Sequence, residues 1–330
     1  MNAGAGVAGG TVAIAIVTPA PRGSRAGNRV TALRWARLLR QLGLRPVVGQ
    51  DLPQRPVQAL LAVHARKSAA AVLAFAAAGR AQHTAVLLAG TDVYPEFRPD
   101  AELLGCLRTA HRIVALQPRA ALLLPPDLAA KTRTIVQSAA ACRGQRPAGV
   151  LQACVLAHLR AVKDPLLPFE ALRHVPSQLP VRIVLAGTAL DGALGARAAR
   201  PADPRARWVG ELRRRAALAL IAGSHLCIVP SLGEGGANVL SEAIAAGTPL
   251  LATAIPGNTG ILGDDWPGLF PAGDARALGA LLARAAHDSG FLAELQRRTT
   301  ALQPLVHPDR ERRDLAALLG ELGVTISARP

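Results

Sequence analysis

The part of this chain that decides the fold is a loop followed by a helix and a strand. It reads Ser231-Leu-Gly-Glu-Gly-Gly-Ala-Asn-Val-Leu-Ser-Glu-Ala-Ile-Ala-Ala-Gly-Thr-Pro-Leu-Leu-Ala-Thr253. Gly247 and Pro249 are typical of the end of a helix, and apolar runs at 226–230 and 250–253 predict buried strands on both sides. A strand, a helix and a strand in this order predict a parallel sheet in an α/β fold.

Two glutamates give this segment a candidate function. Glu234 lies before the helix and Glu242 inside it, while Gly235 and Gly236 lie where we expect the helix to begin. Glycines let a ligand approach bare backbone N–H groups, and a helix N-terminus favours an anion. Carboxylates accept hydrogen bonds from hydroxyl groups. The combination predicts a ligand with both phosphates and sugar hydroxyls, a nucleotide sugar; the alternative is an ordinary crossover in which Glu234 is a solvated loop residue.

The composition favours a globular protein of two domains. The chain has 330 residues, of which half are apolar, and its longest apolar runs are too short to span a membrane. Four cysteines without metal-type spacing predict reduced thiols in the cytoplasm. Residues 1–10, rich in glycine and alanine, are predicted to form a flexible tail.

The net charge of +16 is a weak argument for nucleic-acid binding. Aromatic residues make up only 3% of the chain, and no run of Lys and Arg is long. Among the 38 Lys and Arg residues, the lysines are Lys67, Lys131 and Lys163. A lysine that is retained where arginine is the default suggests a need for a compact point charge. We expect neither nucleic acid nor a membrane as a partner.

Strand and helix patterns alternate along the chain and predict two doubly wound units. The expected strands of the first unit are 11–17, 45–48, 58–63, 84–89, 112–116 and 133–136, and its helices are 29–42, 66–79 and 99–109. After a polar break at 142–149, the expected strands are 150–157, 181–187, 206–209, 225–229 and 249–253, with helices at 211–221, 236–246 and 274–286. The predicted domains are 11–145 and 146–305, and residues 306–330 are expected to form a helix that returns to the first domain. Two such domains bind a ligand in the cleft between their strand ends.

The strand expected at 150–157 leads to two cations. Arg160 and Lys163 follow its carboxyl end, directly after the break between the domains, so we expect them above the cleft. There they would bind a diphosphate and stabilise a leaving nucleotide without a metal; the alternative is that both are solvated loop residues. The chain has no Asp-x-Asp and no His, Asp or Glu cluster with metal spacing, so we expect no metal and no cofactor.

Cations also follow several strands of the first unit. Because the carboxyl ends of parallel strands lie on the same side of a sheet, we expect these residues to surround one pocket. The predicted residues of this second site are Arg22, Arg25, Gly27, Asn28, Arg29, His64, Arg66, Lys67, Thr91 and Asp92. So basic a cluster suits a small, strongly charged anion; the alternatives are surface charge for each arginine and a structural imidazole for His64.

On these residues, the chain resembles the GT-B glycosyltransferases whose donor site carries Glu-x7-Glu. The resemblance covers both domains. It implies that Glu242 binds the ribose hydroxyls, that Glu234 lies by the donor sugar, and that Arg160 and Lys163 bind the diphosphate, although these two cations are usually further apart in sequence. The catalytic residues expected on this basis are Glu234, Arg160, Lys163 and His64. The expected donor-binding residues are Arg160, Lys163, Leu212, Glu234, Gly235, Gly236, Asn238, Val239 and Glu242.

More narrowly, the chain resembles the selenosugar synthases of selenoneine biosynthesis. The segments that carry this resemblance are 18–21, 27–36, 64–68, 90–92, 135–138, 158–165 and 255–260, while the long Gly/Ala-rich tail departs from that group. The resemblance implies transfer of a sugar from UDP-N-acetylglucosamine or UDP-glucose, bound by the second domain, to selenophosphate bound by the first, which gives a 1-selenosugar. Two alternatives stay open: a GT-B transferase with a glycan, lipid or small-molecule acceptor, and a non-catalytic protein that binds nucleotides or nucleic acid.

Overall fold

The computed structural model describes residues 12–94 and 98–326, and the tail predicted at 1–10 lies outside the described residues. Within them, the first domain is built on six strands. They are β1 Ala13–Val17, β2 Arg45–Gly49, β3 Ala59–Val63, β4 Thr84–Leu87, β5 Arg112–Ala115 and β6 Thr132–Thr134. Their order in the sheet is β2-β1-β3-β4-β5-β6, and each neighbouring pair is parallel.

Helices connect these strands. They are α1 Gly27–Gln41, α2 Ala69–Phe75, α3 Gly90–Val93, α4 Ala101–Thr109 and α5 Pro126–Ala130. The single helix predicted at 66–79 is divided, because a 3-10 turn at Arg66–Ser68 precedes α2 and a π turn at Ala76–Arg80 follows it. Gly79 has a φ of +75°, a backbone conformation that interrupts a regular helix and that glycine adopts readily.

The second domain repeats this architecture. Its strands are β7 Leu151–Leu156, β8 Val181–Ala186, β9 Ala206–Trp208, β10 Leu226–Val229, β11 Leu250–Thr253 and β12 Leu269–Phe270. They form a second parallel sheet in the order β12-β11-β10-β7-β8-β9. Its helices are α6 Leu167–Ala171, α7 Gly192–Ala199, α8 Arg214–Ala222, α9 Asn238–Ala246, α10 Pro256–Leu262, α11 Ala275–His287 and α12 Ser289–Ala301. A last helix, α13 Pro308–Glu321, follows them.

Both faces of the first sheet are buried. Side chains alternate along a strand, so neighbouring residues of β1 enter different cores. Ile16 belongs to a cluster with Trp35 of α1 and Leu319 of α13, whereas Ala15 belongs to a cluster with Leu103 of α4. Buried faces on both sides explain why these strands read as continuous apolar runs in the sequence.

The last helix packs on the first domain. α13 packs against α1, and its apolar face completes the core on that side of the first sheet. Two parallel sheets, each with covering helices, confirm the predicted α/β fold class. Among the described residues, every helix is either too short or too polar to cross a lipid bilayer.

Candidate active site

A cavity of about 890 Å³ lies between the two domains. Its volume falls within the range of small-molecule sites, about 300–1,000 Å³. All of the predicted donor-side residues line it, namely Arg160, Lys163, Leu212, Glu234, Gly235, Gly236, Asn238, Val239 and Glu242. From the predicted acceptor side, the lining residues are Arg25, Gly27, Asn28, His64, Lys67 and Thr91. The fold therefore brings together residues that the sequence spreads over two domains.

The first feature of the cavity is an ion pair between Lys163 and Glu234. Lys163 follows β7 and Glu234 follows β10, and these strands are neighbours in the sheet. Lys163 Nζ donates to Glu234 Oε1, and Ser231 Oγ donates to the same oxygen at 2.6 Å. Because both donors use Oε1, the second carboxylate oxygen of the buried Glu234 remains able to accept a hydroxyl hydrogen bond.

The second feature is the buried carboxylate of Glu242 on α9. Nη1 of Arg214, the first residue of α8, donates to Glu242 Oε1 at 2.8 Å. Burial raises the pKa of Glu242, and the guanidinium of Arg214 offsets part of this rise. Arg214 also lines the cavity, although sequence reasoning missed it. It lies in the run 213–215, where nothing in the sequence distinguishes one arginine from its neighbours.

Two helices begin at this cavity without a side-chain cap. α1 follows Ala26 and α9 follows Ala237, and alanine has no group that accepts a hydrogen bond. A Cβ atom on Gly27 would lie 3.5 Å from Nδ2 of Asn238, so the first residues of the two helices are close together. Backbone N–H groups and the positive ends of two helix dipoles suit an anion. α9 begins two residues later than the 236 predicted from the sequence, because Gly236 and Ala237 are still part of the loop.

His64 lies at the end of β3 in an unusual backbone conformation. Its φ is +75°, which non-glycine residues rarely adopt and which often marks functional positions. The buried imidazole has Nδ1 at 3.0 Å from Asp92 Oδ1 and Nε2 at 3.0 Å from Thr91 Oγ1. The cavity-lining hydroxyl of Thr91 holds the ring through Nε2, whereas Nδ1 lies beside the Asp92 carboxylate without a hydrogen bond of good geometry.

Asp92 itself lies outside the cavity, which corrects its assignment to the acceptor site. The carboxylate is 2% exposed and accepts hydrogen bonds from the backbone N–H groups of Ala65, Arg66 and Ala89. These bonds tie the loop after β3 to the loop after β4. Asp92 therefore positions the two loops and lies beside His64, and it does not line the cavity.

Three arginines predicted for the acceptor site also lie outside the cavity. Arg66 forms an ion pair with Asp100 on the surface of the first domain. Arg29 lies on the buried face of α1, and Arg22 is exposed in the loop before that helix. The position of a strand end gives the side of the sheet but not the direction of the side chain. The cations on this side of the cavity are accordingly fewer than predicted.

The remaining cations on the acceptor side are Arg25 and Lys67, with the imidazole of His64 beside them. Arg25 Nη1 lies 2.8 Å from a carboxylate oxygen of Glu211 in the second domain, so this pair spans the cleft. Lys67 and Lys163 both line the cavity. Lys131 does not, since its Nζ donates to the carbonyl oxygens of Arg108 and Ala110, at 2.8 and 2.7 Å.

Sequence reasoning missed several residues of the site. Tyr94 lines the cavity, and its hydroxyl accepts from Gln117 Nε2 at 2.7 Å. Gln137 also lines it and donates to the carbonyl oxygen of Gly236 at 2.9 Å. Two features of the sequence could have pointed to them. Tyr94 is the single tyrosine of the chain, and Gln137 lies in the segment 135–138, which is one of those that carry the family resemblance.

The donor set of a metal site is not assembled at this cavity. In the part of the chain that the structure describes, no group of three or more His, Cys, Asp or Glu side chains is arranged to hold a metal ion. The cations that line the donor side are Arg160, which is exposed, and the paired Lys163 and Arg214.

Comparison with known proteins agrees with this architecture. A family model described as glycosyl transferases group 1 matches residues 153–288, most of the second domain. The second domain is therefore similar to the glycosyl transferases of group 1. No curated protein sequence is significantly similar to the chain.

Several solved structures share the fold of this chain. HepE from Anabaena, in complex with UDP and glucose, is 16% identical with a TM-score of 0.72 over 94% of this chain and 99% of HepE. Sucrose-phosphate synthase from Thermosynechococcus elongatus is 15% identical with a TM-score of 0.78 over 95% of this chain and 99% of the synthase. A glycosyltransferase from Rickettsia africae is 14% identical with a TM-score of 0.70 over 94% of this chain and 98% of that protein. These similarities confirm the predicted GT-B fold.

Proposed function

We propose that this protein is a glycosyltransferase that moves a sugar from a UDP-sugar, UDP-N-acetylglucosamine or UDP-glucose, to selenophosphate. The observation that carries the proposal is one cavity with the Lys163–Glu234 pair and the start of α9 on one side and Arg25, Lys67 and His64 on the other. The first set suits a nucleotide diphosphate sugar, and the second suits a small anion. The UDP and glucose bound to HepE support UDP as the nucleotide.

In this proposal the second domain binds the donor. Glu242 accepts hydrogen bonds from the ribose hydroxyls, and Glu234 lies beside the sugar. Lys163, Arg160 and the N–H groups at the start of α9 stabilise the charge that develops on the leaving UDP. Lys163 is already held by Glu234 and the N–H groups are held by the loop and helix, so these two need little reorganisation as the bond to UDP breaks.

The first domain binds the acceptor. Selenophosphate carries its own nucleophilic selenium, so it needs orientation and charge neutralisation and not a strong general base. Lys67 and Arg25 supply positive charge, and Arg25 shares its charge with Glu211. One oxygen of Glu234 is held by Lys163, and Asp92 is held by backbone N–H groups. A cavity of about 890 Å³ that also holds the donor favours a small acceptor.

In the proposed reaction, selenophosphate is the nucleophile and UDP is the leaving group. Selenium attacks the anomeric carbon, a C–Se bond forms, and the C–O bond to UDP breaks so that UDP leaves with the electron pair. The product is a sugar joined through selenium to a phosphoryl group. Transfer of that phosphoryl group to water then gives the 1-selenosugar and inorganic phosphate.

A second candidate is transfer to a larger acceptor, such as a lipid or a glycan. The observation that favours it is a set of apolar side chains at the mouth of the cavity. Leu33 is 47% exposed and Leu232 is 45% exposed, and both line the opening together with Val162. Exposed apolar groups beside a polar site are suited to cover an apolar part of a ligand.

Turnover of each UDP-sugar with and without selenophosphate, followed by intact mass detection of the product, tests the proposal. We expect UDP release that depends on selenophosphate and a product containing selenium. Release with lipid or glycan extracts alone would favour the second candidate. If the protein turned over no donor and bound nucleic acid with a steep salt dependence that UDP did not affect, both candidate functions would be wrong.

A further inference from the structure

Arg34 is a buried cation that none of the site assignments above includes. It lies on α1 and is 8% exposed. Nε lies 3.0 and 3.1 Å from the two carboxylate oxygens of Glu311 on α13. Nη1 donates to Asn238 Oδ1 at 2.8 Å, and Nη2 donates to Gln137 Oε1. One side chain thus connects α1 and α13 of the first domain, the segment 135–150 that joins β6 to β7, and the first residue of α9.

Glu311 holds this guanidinium in place. The carboxylate is 1% exposed and also accepts from Trp35 Nε1 at 2.9 Å and from the backbone N–H of Ser138 at 2.8 Å. A buried charge pair is stable only when its other hydrogen-bonding capacity is satisfied. Here that condition is met, so the remaining donors of Arg34 are presented in a fixed direction.

Gln137 extends the connection to the loop before α9. Its Oε1 accepts from both Thr31 Oγ1, at 3.1 Å, and Arg34, so its NH2 group is the end that donates to Gly236. In a trans peptide the carbonyl and the following N–H point in opposite directions. Holding the Gly236 carbonyl therefore turns the N–H of Ala237 away from Gln137, and Ala237 lines the cavity.

The amide of Asn238 is oriented in the same way. Because Oδ1 accepts from Arg34, Nδ2 is the end that remains for a ligand. Nδ2 lies near Gly27 at the start of α1, between the two helix starts that face the cavity.

We propose that Arg34 is a positioning residue for the donor diphosphate. It orients Asn238 Nδ2 directly and the Ala237 N–H through Gln137, so that both donate to the diphosphate. The groups that hold these donors belong to the first domain and to the segment 135–150. The donors themselves belong to the second domain, so the diphosphate site is complete only when the two domains are together. This inference rests on the proposed function, since it assumes a nucleotide diphosphate at the start of α9.

The test is a double-mutant cycle on ligand affinity. Arg34→Met is combined with Glu311→Gln so that no buried charge is left unpaired, and each cycle is run with and without Asn238→Ala. Arg37→Met is the matched control, because Arg37 lies on the same helix and is exposed. Calorimetry measures the Kd of UDP and of inorganic pyrophosphate, and thermal melting measures stability.

We expect the Arg34→Met/Glu311→Gln variant to bind UDP and pyrophosphate about tenfold more weakly, and the control to bind as the wild type does. In the Asn238→Ala background the same pair of changes should weaken binding much less. Equal losses in both backgrounds, or unchanged affinity in a folded variant, would overturn the inference and leave Arg34 as a structural tie.

Arg34→Lys provides a second test if the double variant does not fold. Lysine keeps a positive charge for Glu311 but lacks the planar fork that reaches Asn238 and Gln137 together, so a purely structural role in the ion pair predicts unchanged affinity and our inference predicts a loss of about tenfold. If the wild-type protein bound pyrophosphate and another nucleotide but not UDP, only the assignment of UDP as the donor nucleotide would be wrong. The cycle would then be run with that nucleotide. Wild-type protein that binds no diphosphate at all would overturn this inference.

Discussion

Gly90 of the first domain and Gly235 of the second approach so closely that neither position has room for a side chain. A Cβ atom on Gly90 would lie 2.8 Å from the backbone nitrogen of Gly235, and a Cβ atom on Gly235 would lie 2.6 Å from that of Gly90. Both neighbours are backbone atoms, which cannot rotate away. The contact brings the loop after β4 against the loop that carries Glu234, so it sets the distance between the acceptor and donor sides of the cavity.

We therefore expect Gly235→Ala to separate the two loops and to lower kcat/KM by at least tenfold. A displacement of the reacting groups by a fraction of an ångström is sufficient for such a loss. The loss corresponds to about 1.4 kcal/mol of transition-state stabilisation. Steady-state kinetics and thermal melting measure the two effects separately. Gly105→Ala is the control, because a Cβ atom there, in α4, would meet no atom within 4 Å. Equal activity of the two variants would show that the contact does not shape the site.

The part of the donor side at 234–242 was predictable from sequence because its residues lie on one local motif. The spacing of Glu234 and Glu242 places one before α9 and one within it, whatever the rest of the fold does. By contrast, Arg34 and Glu311 are 277 positions apart, and no local pattern links them. The acceptor side was only partly predictable for the same reason: Arg66 turns towards Asp100, a contact that depends on the tertiary structure.

The fold itself was largely encoded in apolar runs. Strands that are buried on both faces gave strong signals, and the predicted strands match those observed to within about two residues. β12 and α10 were not predicted from the sequence. β12 has only two residues, and α10 is short and begins with Pro-Gly, so neither shows a recognisable hydrophobic period.

A second prediction concerns Glu242 and nucleotide affinity. If its carboxylate accepts hydrogen bonds from the ribose, Glu242→Ala should weaken UDP binding by roughly 1.5–3 kcal/mol. Calorimetry on the folded variant measures this directly. Unchanged UDP affinity would remove Glu242 from the ribose site.

The same residue predicts a pH dependence. The ionised carboxylate is the form that accepts from hydroxyls, and burial raises its pKa above the ordinary value of 4.5. As the pH falls through this raised pKa, Glu242 becomes protonated, so UDP affinity should begin to fall at a higher pH than for an exposed glutamate. Glu242→Gln should flatten the profile in that window. Arg214→Met should move the fall to still higher pH, because Arg214 lowers the pKa. A wild-type profile that is flat from pH 4 to 7, roughly, contradicts this assignment.

A third prediction is that turnover survives EDTA and is not stimulated by Mg²⁺ or Mn²⁺. Without a metal, the charge on the leaving UDP would be stabilised by Arg160, Lys163 and the N–H groups at the start of α9. Lys163→Ala should lower kcat by roughly a hundredfold, as expected for the loss of a group that stabilises developing charge. Arg207→Met, at an exposed cation in β9, is the matched control. Turnover that EDTA abolishes and a divalent metal restores would show that the charge stabilisation is assigned to the wrong groups.

The last prediction separates the two neighbouring cations after β3. Lys67 lines the cavity, whereas Arg66 is paired with Asp100 outside it. Lys67→Met should raise the KM for selenophosphate by at least tenfold and leave UDP affinity nearly unchanged, because it removes a charge-assisted contact to the dianion on the acceptor side alone. Arg66→Met is the control and should change neither constant, since its guanidinium does not face the ligand.

Combining Lys67→Met with Arg25→Met extends this test to the other cation on the acceptor side. Arg25 also contacts Glu211, so part of its effect should appear as weaker contact between the domains and hence as a higher KM for both substrates. The loss that is specific to selenophosphate should therefore follow Lys67, and the loss shared by both substrates should follow Arg25. Steady-state kinetics with each substrate varied in turn gives both quantities. If Lys67→Met weakened UDP binding and kept the response to selenophosphate, the donor and acceptor would have been assigned to the wrong domains.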